Sequence, residues 1–196
     1  MIDSSLAEPI NMLALRGGHA FATRSLPVLH RGTLVVVDMQ PGFSDASRNP
    51  ATLYAVELLI KQAVEDRRAV VVLENDPKLN GKTYWRLLKH LAGYPHQAVV
   101  PKFDDDGSVE VIGACGSHGF NDGDFEFGGV HTDACVIATV HGVAKKRRHA
   151  HLNVFREACN SNTPCGMWSG FTNEPNVSLV SVRDLPTPFN KQARTA

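Results

Sequence analysis

Neither sign of charge prevails in this sequence: 20 lysines and arginines stand against 20 aspartates and glutamates. Without a net field, no broad electrostatic surface for nucleic acid or an anionic membrane is indicated, and any charged chemistry must be local. Long apolar runs are missing too. Nothing approaches the roughly 18 residues of a membrane-crossing helix. The first ten residues carry acids instead of the basic-then-apolar order of an export signal, so the expected location is the cytoplasm. Only four cysteines occur, at 115, 135, 159 and 165, and none forms a CxxC pair. That spacing is no disulfide framework; reduced thiols in a reducing compartment are expected. The glycine pairs lack the GxGxxG order of a dinucleotide loop, and Asp38-Met39-Gln40 is not the paired-aspartate motif of a phosphotransferase.

What is present is enough apolar material for one core: 43% of 196 residues are hydrophobic, which fits a single domain able to bury a core and shape a pocket. Thr33 to Val37 (TLVVV) is an unbroken β-branched run ending in Asp38, the pattern of a strand buried on both faces. Asn49-Pro50 supplies a cap followed by a first-turn proline, and Leu53, Val56, Ile60 and Ala63 recur at helical spacing. The alternation continues with a strand over 69–73, a helix over about 82–91, a strand over 98–100 and a helix over 108–115. A strand over 125–127, a helix over 133–147 and strands over 152–155 and 176–182 complete the pattern. Strands alternating with helices predict a three-layer α/β fold, an open, mostly parallel, Rossmann-like sheet of about six strands. In such sheets ligands bind beyond the carboxyl ends of the strands. Residues 1–30 lack periodicity and are expected to form an N-terminal arm, leaving 31–196 as the domain.

Three residues with usable chemistry fall at or just beyond those carboxyl ends: Asp38, Lys102 and Cys135. A cysteine in the first turn of a helix faces unpaired N–H groups and the positive end of the helix dipole, which lower a thiol pKa; Cys135 is therefore expected as an activated nucleophile. A carboxylate such as Asp38 can take the thiol proton and return it to a leaving amine, while an ammonium such as Lys102 steadies the charges. Attack on a carbonyl also needs donors for an oxyanion, and Gly128-Gly129-Val130-His131 leads into Cys135 as a tight glycine turn.

These segments form an ordered set: VVVDMQPGF (35–43), VPK (100–102), GGVHTDACV (128–136) and REACNS (156–161). The set resembles the signature segments of the isochorismatase-like cysteine hydrolases. The resemblance implies an aspartate base, a supporting lysine and a cysteine that forms an acyl or thioimidate intermediate. It also implies a cis peptide between Val130 and His131, and an oxyanion hole built from the backbone N–H groups of His131 and Cys135. Homo-oligomeric assembly is implied as well.

Departures from the pattern sharpen the expectation. The Asp-x-His metal motif of the nicotinamidases is replaced by Asn75-Asp76-Pro77-Lys78, so neither a catalytic metal nor another cofactor is expected. Cys135 favours C–N hydrolysis of a small amide, ureido or carbamoyl compound. Hydrolysis of another bond, or a non-catalytic binding or assembly module, stands as the alternative. Gln40, Phe43 and Phe103 are candidates for substrate contact, and Trp85 is a further candidate wall. Other polar features read as structural: Lys145 to Arg148 as a solvated helix end, His149 and His151 as a pair lacking a third metal ligand, and Asp104-Asp105-Asp106-Gly107 as a solvated turn without the spacing of a calcium loop. Residues 162–175, rich in Gly, Pro and Asn, replace the apolar helix expected there.

Overall fold

The computed structural model describes residues 32–163 and 168–184. The expected arm over 1–30 and Cys165 lie outside the described residues. Six strands form one sheet: β1 Thr33–Val37, β2 Val70–Asn75, β3 Gln97–Lys102, β4 Asp124–Val130, β5 His151–Asn160 and β6 Val177–Val180. Their order is β3-β2-β1-β4-β5-β6, and every neighbouring pair is parallel. The chain moves outward from β1 through β2 to β3, then returns to β4 on the other side of β1. The carboxyl ends of β1 and β4 therefore flank the topological switch point, where crossovers leave in opposite directions and open a crevice.

Successive residues of a strand point to opposite faces, and β1 shows it directly. Leu34 and Val36 join Val70, Val72, Leu59 and Ile60 in one core layer, whereas Val35 and Val37 join Val71, Leu73, Val111, Val140 and Val143 in the other. Among the described residues six α-helices accompany the sheet: α1 Ser44–Ser47, α2 Pro50–Glu65, α3 Pro77–Asn80, α4 Trp85–Leu88, α5 Ser108–His118 and α6 Ile137–Lys146. Helix α2 starts as its sequence dictates, with the Asn49 side chain accepting from Ala51 and Thr52 N–H at 3.0 and 3.2 Å and Pro50 at its head. Val56, Leu59, Ile60 and Ala63 are fully buried against the sheet.

Three elements depart from the sequence expectation. The helix expected over 82–91 is shortened to α4, and a separate short helix, α3, precedes it and ends at Gly81, whose φ of 76° is left-handed. Tertiary partners take the N–H groups a continuous helix would use: Thr83 N–H donates to Glu74 Oε1 at 2.7 Å and Tyr84 N–H to the Met39 carbonyl at 3.0 Å. Strand β4 continues through Gly128 and Gly129. Its partner β5 runs on through Asn160, with a bulge where pairing jumps from Val154 to Cys159. In the segment after β5, no apolar helix is formed by the described residues. A 3-10 turn, Ser169–Asn173, buries Phe171 in the core instead, with Trp168 packed beside it.

At the opposite, amino edge of the strands, a cavity of about 300 Å³ is lined by Arg67, Arg68, His96 and their neighbours. Its buried cation is already matched, since Arg68 donates to Glu126 at 2.6 Å and lies 3.7 Å from Asp66.

Candidate active site

Each of the three expected side chains leaves the sheet at its carboxyl edge. Asp38, the first residue after β1, adopts φ 52°, a left-handed conformation uncommon outside glycine and tolerated best by Asp and Asn. Its N–H still bonds to the Leu73 carbonyl at 3.1 Å while its own carbonyl accepts from Gln40 N–H at 2.8 Å. The backbone turns sharply there and leaves the carboxylate fully buried at the crevice. Lys102, the last residue of β3, is fully buried as well. Its Nζ lies 2.9 Å from Asp38 Oδ2 and donates to the Asp104 and Asp105 carbonyls at 2.8 and 3.4 Å. Two carbonyl acceptors and the paired Asp38 carboxylate surround the ammonium, the condition under which a lysine can be buried charged.

Cys135 sits in a five-residue π-type turn, Thr132–Val136, inserted between β4 and α6. Val136 N–H reaches back to the His131 carbonyl at 3.0 Å, widening the turn that carries the thiol; such turns recur at functional sites. The peptide between Val130 and His131 is cis. Gly129, with φ 139°, lies so close to β1 that an added Cβ would sit 2.0 Å from the Val37 carbonyl oxygen. Ser161, just past β5, donates to the Asp133 carboxylate and ties the turn to the neighbouring strand.

The electrostatics correct one expectation. Burial pushes the Cys135 thiol up to about 12, the Asp38 carboxylate beside it pushes the same way, and Lys102 only partly opposes them. The expected activated thiolate is therefore a protonated thiol at rest, because facing carboxylates and desolvation outweigh the turn's dipole. Burial likewise raises Asp38 above the ordinary carboxylate range, against the pull of Lys102. Both carboxylate oxygens lack a well-aligned hydrogen-bond donor. Chemically, the arrangement holds a thiol proton next to a carboxylate able to receive it, with an ammonium paired to that carboxylate.

No protein-family model matches this sequence, and no curated protein matches it. Solved structures do. The MAR1 ribonuclease from Caenorhabditis elegans superposes with a TM-score of 0.66 at 17% identity, over 84% of this chain and 88% of that one. The nicotinamidase SaPncA from Staphylococcus aureus gives 0.64 at 16% identity, over 76% and 98%. The YcaC gene product from Escherichia coli, an octameric hydrolase of unknown specificity, gives 0.64 at 14% identity, over 77% and 75%. The chain has the isochorismatase-like fold. At these identities the likeness concerns the fold.

Within the isochorismatase-like fold the remaining expected residues separate. Gln40 is fully buried and its amide is wholly engaged with backbone, donating to the Asn75 and Gly81 carbonyls and accepting from Asn75 N–H at 2.8 Å. It fixes the wall beside Asp38, with both of its N–H donors spent on backbone carbonyls. Phe43 is half-buried and meets His131 edge-on at a centroid distance of 5.6 Å, so it abuts the turn that carries Cys135. Phe103 and Trp85 are 73% and 71% exposed. Asp76 caps α3 by accepting from Lys78 and Leu79 N–H. Among the described residues, no group of three His, Cys, Asp or Glu side chains could hold a metal ion. His151 pairs with Asp124 at 3.1 Å, far from the crevice at the amino end of β5.

Sequence reasoning missed Asp105. Its turn is solvated as expected, yet Cys135 Sγ lies 3.4 Å from Asp105 Oδ1. The one available signal was its place three residues after the strand-end lysine.

Proposed function

We propose that this protein is a metal-independent cysteine hydrolase that cleaves a C–N bond of a small amide, ureido or carbamoyl compound. The observation that carries the reading is the Cys135 thiol beside a fully buried carboxylate, itself 2.9 Å from a fully buried ammonium. Asp38 takes the thiol proton as Sγ attacks the substrate carbonyl, so thiolate forms only in company with a substrate. The backbone N–H groups of His131 and Cys135 receive the oxyanion. Collapse breaks the C–N bond, Asp38 returns its proton to the departing amine, and an acyl-cysteine remains. Water, deprotonated by Asp38, then releases the acid and the thiol. The nicotinamidase neighbour supports amide chemistry. Asp76 being a helix cap, with Lys78 two residues on, supports the metal-independent form.

Ribonuclease activity, for which the MAR1 neighbour is named, is disfavoured. Exposed Asp105 stands 3.4 Å from the thiol, and a polyanion would meet repulsion there. We also propose a homo-oligomer, supported by the octameric YcaC neighbour and by exposed Leu79, Trp85 and Phe103 around the carboxyl edge. A cytoplasmic setting is supported by free Cys115, Cys135 and Cys159.

The test is a panel of small amides, ureas and carbamoyl compounds scored for ammonia or amine release, with intact-protein mass spectrometry after rapid quenching. Turnover accompanied by an acyl adduct that maps to Cys135, and loss of both in Cys135→Ser and Asp38→Asn, would support the mechanism. Turnover that survives Cys135→Ser would end it.

A further inference from the structure

The two carboxylates that face Cys135 are unlike. Asp38 is fully buried and paired with Lys102. Asp105 is exposed, its Oδ1 lies 3.4 Å from Sγ, and among the described residues no lysine, arginine or histidine lies within 4 Å of its carboxylate. The nearby cations are engaged elsewhere, Lys102 with Asp38 and Lys146 with Asp106. We propose that Asp105 is a specificity determinant that makes the Cys135 site select substrates carrying a positive charge next to the scissile carbonyl, small aminoacyl-type amides above all. This inference rests on the hydrolase reading for the word substrate, and on geometry alone for the charge preference.

The position of Asp105 is built. Its carbonyl accepts from Lys102 Nζ at 3.4 Å and from Thr139 Oγ1 at 3.3 Å, and the same threonine hydroxyl accepts from Gly107 N–H at 3.0 Å. Ser108 N–H donates to Asp106 Oδ1 at 2.8 Å. The turn is thus clasped from β3 and α6, and an added Cβ at Gly107 would lie 2.9 Å from Lys102 Cδ. A carbonyl carbon within bonding reach of Sγ places its substituents within a few ångströms of Oδ1. Around a neutral thiol stand two carboxylates and one ammonium, so the site carries an uncompensated negative charge at its open side. A substituent ammonium satisfies it; a substituent carboxylate meets it with like charge in a partly desolvated crevice. Asp105 also adds to the rise of the thiol, the expected consequence of an unneutralised anion at that distance.

The experiment needs no known substrate. Wild type, Asp105→Asn and Asp106→Asn are treated with three methanethiosulfonates: 2-aminoethyl (cationic), methyl (neutral) and 2-sulfonatoethyl (anionic). Rates at Cys135 are read by peptide mass spectrometry and divided by those of free 2-mercaptoethanol. The wild-type ratio of cationic to anionic rate is expected to exceed the free-thiol ratio by about thirtyfold. It should fall about tenfold in Asp105→Asn, hold in Asp106→Asn, and shrink in 1 M salt, where the Debye length is about 3 Å. An unchanged ratio in Asp105→Asn, a faster anionic reagent, or a thiol refractory to all three would overturn the proposal. In parallel, glycinamide, propionamide and malonamate are offered as amides of the three charges. Turnover that favours propionamide or malonamate over glycinamide also overturns it. If none is hydrolysed while the thiol ratios behave as expected, the hydrolase reading fails and the charge preference of the site stands.

Discussion

Lys102 reaches Asp38 across an intervening strand: Lys102 ends β3, Asp38 directly follows β1, β2 lies between those strands, and Nζ still stands 2.9 Å from Oδ2. Two strand spacings amount to roughly 10 Å, a span bridged by the extended four-carbon stem of lysine together with the left-handed turn at Asp38. Breaking such a pair leaves one buried charge uncompensated, which typically costs about 3–5 kcal/mol. The two partners are not equal, however. Lys102 keeps the Asp104 and Asp105 carbonyls if Asp38 is neutralised, whereas Asp38 without Lys102 keeps no cation. Lys102→Met is therefore expected to lose about 3 kcal/mol or more, Asp38→Asn less, and the double variant less than Lys102→Met alone. Urea unfolding of the three proteins measures this; a double variant weaker than Lys102→Met would refute the asymmetry.

Neutralising the base should expose the nucleophile. With the thiol at about 12, thiolate is only about one part in 10⁵ at pH 7, so iodoacetamide should label Cys135 slowly, rising about tenfold per pH unit. Asp38→Asn removes a charge that pushes the thiol up and leaves Lys102 pulling it down. Labelling at pH 9 should then quicken by tenfold or more while hydrolysis disappears. Wild-type kcat/KM should fall on the acid side with a midpoint above 3.8, because burial raises Asp38 and only its ionised form accepts the thiol proton. A variant that labels no faster than wild type contradicts the assignment of Asp38 as a charge that, beside burial, pushes the thiol up.

The parts of this molecule that were legible in sequence are those set by local pattern. TLVVV is buried throughout, and an unbroken β-branched run says so; Asn49-Pro50 caps α2 as its chemistry requires. The trio was legible because strand-end position is itself a local signal, given the alternation of strands and helices. What escaped depended on distant partners. Nothing near residue 83 announces that Glu74 will take its N–H, so the 82–91 helix was overextended. Gln40 offers the same amide whether it meets a substrate or, as here, the Asn75 and Gly81 backbone. The thiol's proton affinity was misjudged because the dipole of its own turn is local, while the burial that raises it most, and the charges of Asp38 and Asp105, come from packing with β1 and the turn after β3.

Gly129 is a position where the sheet and the site share one constraint. Its φ of 139° is closed to other residues, and a Cβ there would lie 2.0 Å from the Val37 oxygen, one residue before Asp38. Gly129→Ala must therefore part β1 from β4 at the switch point. Strain of this kind costs about 1–3 kcal/mol before the lost pairing is added. The expected outcome is a destabilisation of about 3 kcal/mol or more, with activity lost even in the fraction that folds. Gly113→Ala, with nothing within 4 Å of its added Cβ, is the control and should be neutral or slightly stabilising in the middle of α5. Thermal unfolding of both variants decides it, and equal melting temperatures would show that β1 and β4 can separate without penalty.

Glu57 gives the fold an acid limit that is independent of the site. Its side chain, on α2, lies 2.7 Å from Arg86 Nε, 2.8 Å from His90 Nε2 and 3.0 Å from Lys61 Nζ, so it pins α4 and His90, two residues beyond it, to α2. Hydrogen bonds from Arg86, then His90 and Lys61, hold its carboxyl down to about 2 against an ordinary 4.5. A carboxylate depressed on folding contributes stability that is fully present above its unfolded value and is lost as pH falls through the folded one. The window is therefore from about pH 4.5 down to about 2. Arg86 and Lys61 are about half exposed, so solvent screens part of the effect and about 2 kcal/mol is the expected size. Glu57→Gln should be less stable than wild type at pH 6, and the gap should close as pH approaches 2. Urea midpoints at a series of pH values measure this, and a gap that persists unchanged at pH 2 would mean that the clamp works through packing and not through charge.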